Sequence, residues 1–262
     1  MQEPPQFETL HATVDGRIGR LTLNQPDKLN PLGTRPLAEI ADAARWFDST
    51  EASIVIVTGA GRAFSSGFDL REFADPAASP DLDDRAQADL GRLMAEAMEQ
   101  MRALTIAAIK GPCIGGGLVL AGVCDLRIAA DDTVFAIPEV DLGIPLAWGG
   151  IPRLVREIPP AIVRELVLTC RPFDAEEARS LGFVNRVVPR AELDEAVDEL
   201  AESLSRKAPS VVRATKRQVN TALENVAPTT GAWADADQLG AAMRDPEARA
   251  AAREYLRGRT RA

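Results

Sequence analysis

Two rhythms of apolar residues alternate along the chain, and they predict different elements. Residues 7–24, FETLHATVDGRIGRLTLN, alternate apolar and polar positions on both sides of Asp15-Gly16. Period two around a turn dipeptide predicts a hairpin. Over residues 30–47 the spacing lengthens, with Leu37, Ile40, Ala41, Ala44 and Trp46-Phe47 forming a helical stripe. Residues 54–58 (IVIVT) are β-branched and end in Gly-Ala-Gly, as a buried strand would. A loop is expected over 63–73. The Pro- and Asp-rich stretch 75–84, DPAASPDLDD, reads as a mobile connection. Residues 85–103 return to helical composition.

The pattern then recurs. A strand is predicted at 106–110, a turn at Gly111-Pro112, a helix over 116–122, and short strands at 126–129 and 133–136. Helices are predicted at 152–158, 161–169, 175–181 and 191–207, with a strand at 183–188 between the last two. Beyond residue 208 the chain is mostly helical. No repeat of fixed period is present. The strand–strand–helix rhythm predicts α/β layering with a helical C-terminal part.

Composition narrows the function. The 262 residues, 46% hydrophobic, suffice for one large domain or a core with a small appendage. A net charge of −9 argues against nucleic acid as a partner, while a few local cations can still hold an anionic ligand. No apolar run reaches the length of a membrane span, and the opening MQEPPQFETLHATVDGR lacks the basic start and apolar core of a secretory signal. Cys113, Cys124 and Cys170 show no C-x-x-C spacing, so neither a disulfide framework nor a zinc site is expected, and a cytoplasmic location fits. His11 is the single histidine, which argues against histidine triads and multi-histidine metal sites. Acid–base work must fall on carboxylates, lysines, Tyr255 or cysteines.

One pairing carries the chemistry. Ile-Gly-Gly-Gly-Leu-Val at 114–119 is followed, twenty residues after Val119, by Pro138-Glu139. Glycines at a helix start offer bare backbone N–H groups to an anion, or they simply let a helix pack closely. The run is no phosphate loop, because Gly-Lys-Ser/Thr is missing, and Gly59-Ala60-Gly61 lacks the third glycine of a dinucleotide fingerprint. Glu139 is a carboxylate in the apolar segment FAIPEVDLGIP. Burial would raise its pKa and suit it to act as a base near neutral pH; the alternative is a pair with an arginine such as Arg153. Asp141, two residues on, is expected to be a structural or rim residue and is the reserve acid. Asp69 is expected to bond within its own loop.

The chain resembles the crotonase family, the enoyl-CoA hydratases and isomerases, over essentially its whole length. The matching stretches run in order: PDKLNPL (26–32), IVIVTGAGRAFSSGFDLREF (54–73), AAIKGPCIGGGLVLAGVCDLRIAADDTVFAIPEVDLGI (107–144), GGIPRLVREI (149–158), LVLTCRPFDAEEARSLGFVNRVVP (166–189) and KAPSVVRATKRQVN (207–220). The resemblance implies a spiral of ββα units over residues 1–205, a helical trimerisation region over 206–262, and a homo-trimer or dimer of trimers. It also implies an acyl-CoA thioester substrate, with coenzyme A entering only as part of that substrate and no separate cofactor or metal. By the same resemblance, the N–H groups of Phe68 and Gly116 form an oxyanion hole and Glu139 is the base. Lys28, Leu29, Ser66, Arg62 and Arg71 would lie along the coenzyme A moiety, with Asp69, Leu70 and Gly115 around the same site. Arg257 and Arg259 would reach a neighbouring subunit's ligand.

The departure is Val119, where family hydratases carry a second glutamate. A valine can neither hold nor activate water, whereas moving a double bond needs one base and an oxyanion hole. Isomerisation is therefore the expectation. A hydratase with a substitute acid and a catalytically weak acyl-CoA binder stay open. Ala147 replaces the further acid of dienoyl isomerases and of the family's dehalogenases. Trp148, in place of a small residue, either shortens the acyl pocket or packs the core.

Overall fold

The computed structural model describes residues 5–69, 72 and 84–259. Nearly all of the Pro- and Asp-rich connection lies outside them, as do Leu70 and Arg71. The described strands are β1 (Leu10–Asp15), β2 (Ile18–Leu23), β3 (Ile54–Gly59), β4 (Leu104–Ile109), β5 (Pro112–Ile114), β6 (Leu126–Ala130), β7 (Val134–Ala136), β8 (Phe173–Asp174) and β9 (Arg186–Val188). The described helices are α1 (Thr34–Phe47), α2 (Asp84–Gln100), α3 (Gly116–Gly122), α4 (Gly150–Glu157), α5 (Pro160–Thr169) and α6 (Ala175–Ser180). They continue with α7 (Leu193–Ser205), α8 (Pro209–Val226), α9 (Asp235–Arg244) and α10 (Pro246–Arg259).

β1 and β2 form the antiparallel hairpin, with Gly16 at φ 54° in its turn. From β2 onward the main sheet is parallel, in the order β1-β2-β3-β4-β6-β9. A second sheet has the order β5-β7-β8. The inner strands are apolar on both faces because both are covered. Ile54 and Ile56 of β3 pack with Leu193, Val197 and Ala201 of α7, while the intervening Val55 and Val57 belong to the larger core with α1 and α2. Prolines open α5, α8 and α10, where a missing N–H costs nothing. Asp174 caps α6 by accepting the Glu177 N–H at 2.8 Å.

Element ends shift by a few residues throughout, and three of the differences from the sequence reading have a visible cause. α1 begins at Thr34 rather than near residue 30, because Leu29 and Asn30 take φ 62° and 54°. Asn30 is held there by its side-chain amide, which donates to the carbonyls of Ala60 and Ala63 at 2.9 Å each. Pro112 opens β5 where a turn was expected. The last strand keeps only Arg186–Val188, since Phe183 is turned into the core against Arg127 and Phe135. Among the described residues no helix is long and apolar enough to cross a membrane, and no cluster of His, Cys, Asp or Glu could hold a metal ion.

Candidate active site

The loop before residue 70 is stitched into place by its backbone. Leu32 N–H donates to Gly67 O at 2.8 Å and Asp69 N–H to Leu32 O at 3.3 Å. Ile114 N–H donates to Ser65 O at 3.0 Å, and Ser65 Oγ donates to Asn30 O at 2.8 Å. These bonds use the groups on either side of Phe68 and leave its own N–H without an acceptor among the described residues. Gly67 takes φ 85°, and a methyl there would lie 2.7 Å from Ile114 O and 3.7 Å from Gly116 N. The loop and the start of α3 therefore meet backbone to backbone.

Gly115 turns the chain into α3 with φ 51°. Its N–H donates to Ala136 O at 2.8 Å, and its carbonyl accepts from Leu118 and Val119. Gly116 N–H, at the first position of the helix, has no acceptor among the described residues. A side chain at 115 would collide with the Glu139 carboxylate, so glycine at this position lets backbone and acid approach each other.

Glu139 sits in a turn fixed by Ile144 N–H to Glu139 O at 2.9 Å and Leu142 N–H to Pro138 O at 3.0 Å. The residue as a whole is half-buried, but its Oε2 is shut off from solvent and has no hydrogen-bond partner. An ionised carboxylate spreads its charge over both oxygens, so sealing one of them from water disfavours ionisation. Burial pushes the carboxyl up to about 7, with a bond from its own backbone N–H opposing. Arg153, the arginine considered as its partner, is engaged elsewhere. Its Nη2 meets Glu99 at 2.6 Å, and its Nη1 donates to the carbonyls of Trp148 and Gly149 at 3.1 and 3.2 Å.

Two cavities meet at Glu139, Phe68 and Ile144. The smaller, about 40 Å³, is lined also by Ser66, Gly115 and Tyr255. The larger, about 300 Å³, runs past Gly116, Val119 and Trp148 to α2 and α9, where Leu239 and Met243 close it. Val119 is 3% exposed and offers this cavity only methyl groups. Trp148 takes φ 63° and meets Phe68 edge to face at 6.1 Å between ring centres.

The remaining candidate residues are placed as follows. Ser66 lines the smaller cavity, its N–H donating to Leu29 O at 2.8 Å. Lys28 and Arg62 are exposed, and with Leu29 and the half-buried Asp69 they line neither cavity. Asp141 is exposed beside Cys170 and also lines neither, so the reserve acid is not turned inward. Leu70 and Arg71 lie outside the described residues, as does the Arg259 side chain; Arg257 is exposed. His11 is exposed and bonds Asn24 at 2.7 Å.

Sequence reasoning missed Glu72 and Gln87, which line the larger cavity. They form a fixed chain: Gln87 Nε2 donates to Thr34 Oγ1 at 3.1 Å, and Thr34 donates through both Oγ1 and N–H to Glu72 Oε2 at 2.8 Å. Glu72 thereby serves the N-terminus of α1, where a carboxylate is favoured. Thr34 at that helix start was the available signal.

A family model described as enoyl-CoA hydratase/isomerase matches residues 13–260. The chain belongs to the enoyl-CoA hydratase/isomerase family. It is 38% identical over 220 residues to a probable enoyl-CoA hydratase of Mycobacterium tuberculosis, covering 84% of each chain. It is 39% identical over 219 residues to carnitinyl-CoA dehydratase of Escherichia coli K12, covering 83% of this chain and 82% of the relative. Among solved structures, an enoyl-CoA hydratase/isomerase from Xanthobacter autotrophicus Py2 superposes with a TM-score of 0.84 at 30% identity. That match covers 94% of this chain and 91% of the other. The α/β fold is thus that of the crotonase family, and the chain is an enzyme of the enoyl-CoA hydratase/isomerase type.

Proposed function

We propose that this protein shifts a carbon–carbon double bond within an acyl-CoA thioester, using Glu139 as the one proton carrier. The observation that carries the reading is Glu139, which lines both cavities, has a sealed and unpartnered Oε2, and shares the larger cavity with a valine at 119. In this reading the thioester occupies the junction and the acyl chain the larger cavity. Glu139 removes a proton from C2 of a 3-enoyl thioester. The electron pair moves toward the thioester oxygen, where the N–H groups of Phe68 and Gly116 hold the negative charge. The double bond re-forms between C2 and C3 as the same carboxyl returns the proton to C4. No water is consumed and no group beyond the substrate's coenzyme A is required.

A second reading is water addition to a 2-enoyl thioester, and the names of the hydratase and dehydratase relatives favour it. The geometry supports it less, because Asp141 is exposed and Glu72 is committed to Thr34. The test runs a 3-enoyl-CoA and a trans-2-enoyl-CoA in parallel, following thioester absorbance and product mass. Bond migration without mass gain, reduced by about 10²–10⁴ in Glu139→Gln, is the expected result. A product heavier by one water would replace isomerisation with hydration. Turnover unchanged in Glu139→Gln would leave an acyl-CoA binder.

The same reading includes an assembly of copies, a trimer or a dimer of trimers. Val211, Val219 and Val226 on the outer face of α8 support it, being 62%, 51% and 76% exposed.

A further inference from the structure

Gln87, Ala88 and Gly91 share one face of α2, being one turn apart. Gln87 and Ala88 line the larger cavity. At Gly91 the space is filled by the Trp148 indole: a methyl there would collide with Cδ2, Cε2 and Nε1 of the ring. The other edge of the ring, at Cζ3 and Cη2, lies against Gly116. On the Gly91 side of α2 the cavity is therefore bounded by the indole, as it is by Leu239 and Met243 on the α9 side.

The ring is also aimed. Its residue is held in the left-handed region, with the Trp148 carbonyl accepting from Arg153 at 3.1 Å. The next N–H, of Gly149, donates to Asp235 at 2.7 Å. Arg153 is in turn fixed by Glu99. Groups from α2, α4 and α9 thus set where one side chain stands.

We propose that Trp148 determines acyl chain length at this site, ending the acyl channel one turn of α2 early so that chains stop beside Ala88. The inference rests on the acyl-thioester reading above. Without the indole the channel would extend by one helical turn, about 5.4 Å, toward Gly91.

The test titrates wild type, Trp148→Phe and Trp148→Ala with a ladder of saturated straight-chain acyl-CoAs, read by calorimetry. Saturated chains neither gain water nor shift a double bond, so the readout is independent of which reaction the enzyme performs. Wild-type affinity is expected to rise with chain length up to a cut-off and then fall. The cut-off moves to longer chains in Trp148→Phe and further in Trp148→Ala. The first chain beyond the wild-type cut-off should bind about tenfold tighter, the worth of roughly two methylenes removed from water. Trp148→Phe keeps a ring beside Gly91 and guards against a Trp148→Ala variant that does not fold. An unmoved cut-off in folded variants overturns the proposal, as does chain-independent binding. A wild type that binds no acyl-CoA of any length overturns the acyl-thioester reading itself.

Discussion

Sealing the Glu139 carboxyl raises its pKa from 4.5 to about 7, so between those pH values the folded chain keeps a proton that the unfolded chain has lost. Stability therefore falls as pH rises through that window, and above it the buried charge costs about 3 kcal/mol. Glu139→Gln carries no such cost. Thermal melts should show the variant gaining on wild type as pH rises from 4.5 and levelling off above 7; an advantage independent of pH would contradict this. Catalysis runs the other way, since the base must be ionised. The rate below about pH 7 should fall tenfold for each pH unit, read as kcat/KM against pH. The sequence marked Glu139 by its apolar surroundings. It could not show that Arg153 is occupied, because the partner, Glu99, stands 54 positions away on another helix.

α2, α4 and α8 are joined by a buried charge cluster. Glu99 of α2 receives Arg153 and Arg156 of α4 at 2.6 Å each, and Arg156 also reaches Glu224 of α8. Both arginine side chains are 3% exposed. Glu99→Ala would leave the buried Arg153 guanidinium without its paired carboxylate and Arg156 with Glu224 alone, a loss of about 3–5 kcal/mol in denaturant unfolding. A loss below about 1 kcal/mol would mean that water replaces the carboxylate. At this scale legibility follows how local the signal is. The hairpin was readable because its alternation and its Asp-Gly turn are adjacent in sequence. β5 and β8, of three and two residues, are too short to show any period. Gly91 inside α2 weakens the helix by about 1 kcal/mol against alanine, and the sequence of that helix gives no reason for it, because the cause lies at residue 148.

For the whole molecule, the order of the motifs made the family legible, since each motif is short and contiguous. Which segment closes the larger cavity was not, because the docking of α9 depends on bonds such as Gly149 N–H to Asp235, 86 positions apart. The outer valines of α8 give the proposed assembly its test. Val219→Asp places a charge in an apolar face and should lower the mass in light scattering toward the 28.1 kDa of one chain. A wild-type mass already at that value would rule the assembly out. The notch between α2 and α3 has a consequence for how such a protein can change over generations. Alanine at 91 is obstructed while the indole fills its space, and a smaller residue at 148 opens a void while 91 is still glycine. The order of change is fixed: Trp148 must shrink before 91 can take a side chain, and a side chain there would then refill part of the space the indole had left. Two positions 57 places apart in the sequence are thus tied as one inherited trait, passable in a single direction.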